Sequence, residues 1–346
     1  MTHLDHGLIR RIGVLGAGSW GTALAMHLAR KGYEVALWSH GADLVPLINE
    51  RHQNPTYLPG FVLPENLTAS NDIAEVVSGK DLILLVPPSH VLREVMLQAR
   101  DHLPHNVPIV SATKGIENDS LLLVHEILEE VLPVHHHPYL AYLSGPSFAR
   151  EVADGQPTLV VIASHWPRLA QTAQAVFHSD TFRCYTSHDV IGVECGGALK
   201  NVIAIGAGAV TGLGFGHNTM TAYLTRGLAE ITRLAVRKGA NPLTLSGLAG
   251  MGDLVLTCTG SLSRNRAVGL KLAQGMTRAQ ILGEMNMVAE GIRTSKSVYD
   301  LSRKLGVETP ICEQVYLALY EDLPVVNAIQ NLLTRTPKQE MVIHQD

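Results

Sequence analysis

The sequence predicts an α/β chain in which a doubly wound parallel sheet is followed by an all-α domain, and three observations carry that expectation. From Arg11 to about Ser187, short apolar runs rich in β-branched residues alternate with stretches of helical periodicity. The first run leads directly into Gly16-Ala17-Gly18-Ser19-Trp20-Gly21 and then into a helical stretch. After about Ser187 the strand signal fades, and helical periodicity continues through Ala328 with glycine joints at Gly247–Gly252 and Gly291. The chain has 346 residues. A compact domain takes roughly 100–200, so two domains are expected, 1–188 and 189–346.

In chain order, strands are expected at Ile12–Leu15, Val35–Trp38, Leu82–Val86, Ile109–Ala112, Leu140–Leu143 and Leu159–Ala163. Runs that are apolar throughout belong to a sheet covered on both faces, and the helices between them supply the crossovers. Those helices are expected at Thr22–Arg30, Asp43–Arg51, Val91–Ala99, Leu121–Val131 and Pro167–Phe177. Pro167 suits a first turn, where its missing N–H costs nothing. The stretch Asn54–Pro64 is too rich in Pro and Gly for a crossover helix and reads as a loop over one sheet edge. Beyond the boundary, Val190–Thr225 carries only Glu194 and Lys200 as charges. Its helices are therefore expected to be buried on most sides, in an all-α core or at the interface of a homodimer.

Composition removes several function classes. Lys+Arg 27 against Asp+Glu 31 leaves a formal charge of −4, which gives no basic field for a nucleic-acid backbone or an anionic membrane. Hydrophobic residues at 46% with charged residues at 17% describe a folding chain rather than a disordered one. No uninterrupted apolar run approaches 18–20 residues, so no integral membrane segment is expected. The N-terminus lacks the apolar core of a secretory signal, and Cys184, Cys195, Cys258 and Cys312 show neither metal nor disulfide spacing. A reducing cytoplasm and no metal are the expectations. The run His135-His136-His137 reads as a solvated cluster and receives no role.

Several motifs carry chemistry. Gly16, Gly18 and Gly21 have the spacing of a dinucleotide fingerprint, in which the first glycine allows the turn, the second admits a pyrophosphate and the third packs helix against sheet. A turn that merely needs glycine explains less, because strand and helix flank it in the required order. The second strand ends Trp38-Ser39-His40, without the carboxylate that selects NAD, so Ser39 and His40 leave both NAD and NADP open.

Ser111-Ala112-Thr113-Lys114-Gly115 and Gly145-Pro146-Ser147-Phe148-Ala149 lie at strand ends, where ligands of doubly wound sheets collect. Lys114 reads as a contact to a carbonyl or phosphate, and Ser147 as a helix cap or a substrate contact. Lys200 is a solitary ammonium in an apolar helix, costly unless it meets an anion or a catalytic need. Glu194, six positions away and about 240° around a helix, does not pair with it. Asn201 can add a hydrogen bond. Asp253 at a glycine joint reads either as an N-cap or as the group that orients Lys200. Ser263-Arg264-Asn265-Arg266 offers a phosphate cradle if it opens a helix, and Glu290 a ribose contact or a cap.

Together these segments resemble the bacterial-type NAD(P)-dependent glycerol-3-phosphate dehydrogenases. The resemblance runs from Ile12 to about Leu333 and is carried by the fingerprint, Asn54–Gly60, the Lys114 strand end, Gly145–Val152, Lys200-Asn201, Gly247–Cys258, Ser263–Arg266 and Val288–Gly291. It implies a Rossmann-type NAD(P)-binding domain followed by an all-helical substrate domain. It implies Lys200 as the catalytic proton donor and acceptor, with Lys114, Gly145, Ser147, Lys200, Asp253, Ser263, Arg264 and Asn265 as substrate ligands. Cofactor contacts carry over to Ser19, Trp20, His40, Lys114, Ala149, Arg264, Val288 and Glu290. Met251 stands where many relatives have Leu, a volume-conserving change. The implied reaction is reversible hydride transfer between NADPH or NADH and C2 of dihydroxyacetone phosphate, giving sn-glycerol 3-phosphate for phospholipid synthesis.

Two other readings compete. A β-hydroxyacid or sugar-acid dehydrogenase also joins a dinucleotide-binding domain to a helical one and uses a buried lysine. A regulator that senses NAD(P)H without chemistry needs only the fingerprint, and it leaves Lys200 and the Ser263–Arg266 cluster unexplained.

Overall fold

The computed structural model describes residues 8–285, 289–337 and 339–340. Its first part is an eight-stranded sheet, β1 (Arg11–Leu15), β2 (Glu34–Trp38), β3 (Leu67–Ser70), β4 (Leu82–Leu85), β5 (Ile109–Ser111), β6 (Leu140–Ser144), β7 (Thr158–Ala163) and β8 (Phe182–Ser187). The strand order is β3-β2-β1-β4-β5-β6-β7-β8. The order reverses between β1 and β4, the place where a doubly wound sheet opens its ligand crevice. Helices α1 (Ser19–Arg30), α2 (Leu44–Arg51), α3 (Ile73–Val77), α4 (Ser89–Ala99), α5 (Val124–Val131), α6 (Ala149–Ala153) and α7 (Pro167–Phe177) complete this part.

Successive residues of β4 serve opposite faces. Leu82 and Leu84 pack in one core with Leu24 and Leu28 of α1 and Phe177 of α7. Ile83 and Leu85 pack in another with Leu92 and Met96 of α4 and Leu128 of α5. A strand apolar at every position therefore buries both faces.

Three sequence expectations are corrected. The sheet is not wholly parallel: β7 pairs antiparallel with β6, and β8 follows β7 in parallel. Between β6 and β7 stands only α6, with five residues. A helix of that length covers about 8 Å, half of the roughly 17 Å of a five-residue strand. α6 is too short to run back alongside β6 as a crossover helix, and β7 pairs antiparallel with β6. Secondly, β3 and β8 carry too many polar residues, LTAS and FRCYTS, to register as apolar runs. Thirdly, α5 starts at Val124 rather than Leu121, because Asp119 and Leu121 take positive φ in the turn before it.

The second part is helical: α8 (Val190–Gly212), α9 (His217–Arg237), α10 (Asp253–Thr259), α11 (Arg264–Ala273), α12 (Arg278–Gly283), α13 (Glu290–Leu305), α14 (Pro310–Tyr320) and α15 (Val325–Leu333). Asp189 caps α8 by accepting from the Gly192 N–H at 2.9 Å. Helices α9, α10, α11 and α13 pack around α8, which is buried along nearly its whole length. By length and composition α8 is apolar enough to cross a membrane, but 89% of its apolar window lies inside the fold. It is the core helix of this part. The burial expected of Val190–Thr225 holds for α8 alone, since residues 211–226 are exposed or half-buried.

Candidate active site

The fingerprint loop leaves β1 at the switch between β1 and β4. Gly16 sits at φ 120°, and a Cβ there would lie 2.8 Å from the Val86 carbonyl oxygen. A Cβ on Gly21 would stand 1.8 Å from the Gly16 carbonyl oxygen, so α1 packs against the turn at backbone distance. A Cβ on Gly18 would meet nothing within 4 Å, which leaves open space beside the backbone. Gly18 is the N-cap of α1 and supplies no side-chain cap, while Ser19 and Trp20 open the helix. The buried Trp20 indole Nε1 has no hydrogen-bond partner. An uncapped helix start beside open backbone suits the pyrophosphate of a dinucleotide. The residues present fit the group.

On the other side of the switch point, two lysines from different elements meet one carboxylate. Lys114, just beyond β5, donates from Nζ to Asp253 Oδ2 at 2.7 Å and to the Gly145 carbonyl at 3.2 Å. Lys200 of α8 donates to Asp253 Oδ1 and to Thr257 Oγ1, the latter at 2.8 Å. Asp253 is 1% exposed and Lys200 7%. Burial pulls the Lys200 ammonium down to about 8, Asp253 opposes the fall and the Lys114 charge adds to it. Asp253 stands at the first position of α10, directly after a π-turn at Leu248–Gly252. It caps nothing by its side chain; it orients the lysines.

Other contacts continue from this pair. Asn201, next to Lys200, accepts from Asn265 Nδ2 at 2.9 Å, and Asn265 Oδ1 accepts from the Gly291 N–H at 2.9 Å. Glu290 accepts from the Ser89 N–H at 3.2 Å and the Ser89 hydroxyl at 3.0 Å. Ser89 in turn lies so close to Gly115 that a Cβ there would stand 2.3 Å from Ser89 Oγ. Lys114, Ser89, Glu290, Asn265, Asn201, Lys200 and Asp253 thus close a ring between the strand ends and the helical part.

A glycine turn at the switch point of a doubly wound sheet and a buried, pKa-lowered lysine in the same chain suit a nicotinamide-dependent dehydrogenase, and similarity to known proteins identifies which kind. The family model for the N-terminus of NAD-dependent glycerol-3-phosphate dehydrogenase matches residues 11–170, and the model for its C-terminus matches residues 189–330. The chain belongs to the NAD-dependent glycerol-3-phosphate dehydrogenase family. It is 56% identical to the glycerol-3-phosphate dehydrogenase [NAD(P)+] of Myxococcus xanthus over 95% of this chain and 98% of that one. The corresponding enzyme of Anaeromyxobacter dehalogenans is 55% identical over 96% and 100%. The crystal structure of glycerol-3-phosphate dehydrogenase from Coxiella burnetii superposes with a TM-score of 0.89 at 40% identity, covering 94% of this chain and 99% of that one.

This glycerol-3-phosphate dehydrogenase uses NAD(P) and interconverts dihydroxyacetone phosphate and sn-glycerol 3-phosphate. Its remaining sequence-expected site residues lie as follows. Ser147 donates to the Gly145 carbonyl at 3.0 Å and does not cap α6, whose N-cap is Phe148 and whose first residue is Ala149. Gly145 takes φ 140° where β6 ends. Ser263 caps α11 by accepting from the Arg266 N–H at 3.2 Å, which places Arg264 at the first helical position. Arg264 is exposed. His40 is exposed at the end of β2, edge-on to Trp38 with ring centroids 6.0 Å apart. Ser39 is turned inward, donating to the Gly41 carbonyl at 2.9 Å, so it does not offer its hydroxyl outward beside His40. Val288 lies outside the described residues.

Two positions of this dehydrogenase lie inside motifs the sequence singles out but receive no role of their own from it. Thr257 holds Lys200 and lies one helical turn after Asp253, a spacing that places both on one face and is its only local signal. Asn54 is 1% exposed and donates to the Ala17 carbonyl and Thr22 Oγ1, both at 2.9 Å. The irregular Asn54–Pro64 loop thereby braces the fingerprint turn.

Proposed function

We propose that Lys200 is the proton donor and acceptor of the reaction, and that the substrate phosphate is held at the start of α11 by Ser263, Arg264 and Asn265. The observation carrying this reading is the Lys200–Asp253–Lys114 group, two ammonium groups on one buried carboxylate, facing the end of β5. A bound nicotinamide supplies or accepts hydride at C2. The chain's own residues do the rest. Lys200 protonates the developing alkoxide oxygen in reduction and takes that proton back in oxidation. Asp253 and Thr257 fix its ammonium, and Lys114 adds positive potential where negative charge develops. Gly145 and Ser147 line the approach, and Ala149 and Glu290 belong to the nicotinamide side.

The proposal divides the chain at residue 188, with dinucleotide recognition before it and proton transfer after it. It places the enzyme in the cytoplasm as a homodimer that supplies glycerophospholipid synthesis. Support for a reducing compartment comes from Cys184, Cys195, Cys258 and Cys312, all free and buried. The deciding experiment follows the absorbance of reduced nicotinamide when dihydroxyacetone phosphate is added. Oxidation only with a carboxylate substrate favours the hydroxyacid reading, and none with catalytic enzyme favours the sensor.

Two substitutions test the binding assignments. Arg264→Ala removes a charge-assisted contact worth about 1.5–3 kcal/mol. The KM for dihydroxyacetone phosphate should rise roughly tenfold to a hundredfold, with weaker NAD(P)H binding alongside. Steady-state kinetics in which both constants stay unchanged would move the anion site elsewhere. His40→Ala should lower kcat/KM for NADPH relative to NADH by about two- to fivefold, the scale of an exposed ionic contact. A constant ratio between the two cofactors would mean that another residue reads the ribose.

A further inference from the structure

Two histidines of the run that sequence reading leaves without a role gain a third in the folded chain. His135 and His136 lie in the 3-10 turn Val134–Tyr139, which leads into β6. His105 lies in the loop that leads into β5, the parallel neighbour of β6. Both segments therefore meet at the N-terminal ends of these strands, opposite the ends that carry Lys114 and Gly145. His105 Nδ1 and His135 Nε2 are 3.1 Å apart, and the rings of His135 and His136 are 4.2 Å apart. One ring nitrogen from each of the three histidines lies within 4.8 Å of the other two.

We propose that His105, His135 and His136 form a binding site for one divalent transition-metal ion of the imidazole-preferring class, with Zn²⁺ as its representative. Neutral imidazole is the commonest protein ligand for such ions. Tetrahedral zinc with bonds of about 2.0–2.1 Å sets its nitrogen ligands about 3.4 Å apart. The His105–His135 pair stands at 3.1 Å, about 0.3 Å inside that separation, and both side chains are exposed, so their rings have room to turn toward the third nitrogen, which lies within 4.8 Å. A second observation separates this cluster from solvated surface histidines. His136 is only 2% exposed, and its Nδ1 is buried with no hydrogen-bond partner. A buried polar atom left unanswered is costly, and a cation shared with His105 and His135 would give the His136 ring a polar partner. His137 takes no part, because its Nε2 pairs with the Leu132 carbonyl at 3.0 Å. Three histidines leave a fourth position for water.

The test titrates chelator-stripped enzyme with Zn²⁺ against a chromophoric chelator, and follows thermal unfolding with and without the metal. One equivalent should bind per wild-type chain and raise the unfolding temperature. Changing a group that only supports a ligand already costs about 10–100-fold in affinity. His105→Ala and His135→Ala remove ligands themselves, so each should weaken binding at least tenfold and abolish the thermal shift, while His137→Ala should bind as wild type. Dehydrogenase activity of the stripped His105→Ala enzyme should equal that of stripped wild type, which shows that the fold is intact. Absence of stoichiometric binding in wild type, or equal affinity in wild type, His105→Ala and His135→Ala, would overturn the proposal.

Discussion

Replacing Lys200 with Ala should abolish most turnover, by about 10²–10⁴-fold, while NAD(P)H still binds. The binding half follows from geometry, since the glycine turn at Gly16–Gly21 and the Lys200 ammonium belong to different elements. The chemical half follows from the burial that pulls Lys200 down to about 8. The pH profiles then have opposite signs in the two directions. Reduction of dihydroxyacetone phosphate needs the ammonium form, so its rate falls as pH rises through about 8. Oxidation of glycerol 3-phosphate needs the amine, so its rate climbs through the same range. Cofactor binding by fluorescence, together with kcat against pH in both directions, checks the assignment. Near-normal kcat in Lys200→Ala, or profiles of the same sign, would remove Lys200 from the reaction.

Asp253→Asn should be the most destabilising single change in the site. Both oxygens of this carboxylate are engaged by ammonium groups, from Lys114 on one side and Lys200 on the other. Neutralising it leaves two like charges facing each other in a place that is 1% exposed. Removing one partner of a buried ion pair costs about 3–5 kcal/mol. The urea midpoint should drop accordingly. Asp253 is also the group that opposes the fall of the Lys200 pKa, so the Lys200 ammonium should lose its proton at lower pH in the variant. Dihydroxyacetone phosphate reduction should therefore decline at lower pH than in wild type. An unchanged unfolding midpoint together with an unchanged pH profile would show that Asp253 does not govern the lysines.

Much of the site was legible because its signals are local. A glycine turn announces itself within six residues, since each glycine answers a different backbone demand at Gly16, Gly18 and Gly21. Lys200 stood out because a lone ammonium in an apolar helix needs an explanation whatever surrounds it. Its explanation was not local. The sequence left Asp253 as either a cap or a partner, and α10 decided for the partner. Glu194, which the helical angle ruled out for Lys200, proved to hold His125 instead, accepting from its backbone N–H at 2.9 Å.

The alternation of strands and helices, the switch to a helical second part and the singling out of Lys200 as a lone ammonium in an apolar helix were set by periodicity and by single-residue energetics. These act over one or two turns of chain, so the sequence alone determined them. Tertiary structure decided the direction of β7, the turning inward of Ser39 and the meeting of His105 with His135 and His136. It also decided the closing of the active-site ring. Lys200 and Asp253 are 53 positions apart, Lys114 and Asp253 139, and Ser89 and Glu290 201. No local pattern marks such pairs, because their energy exists only after packing has brought the elements together and removed the water that would otherwise screen them.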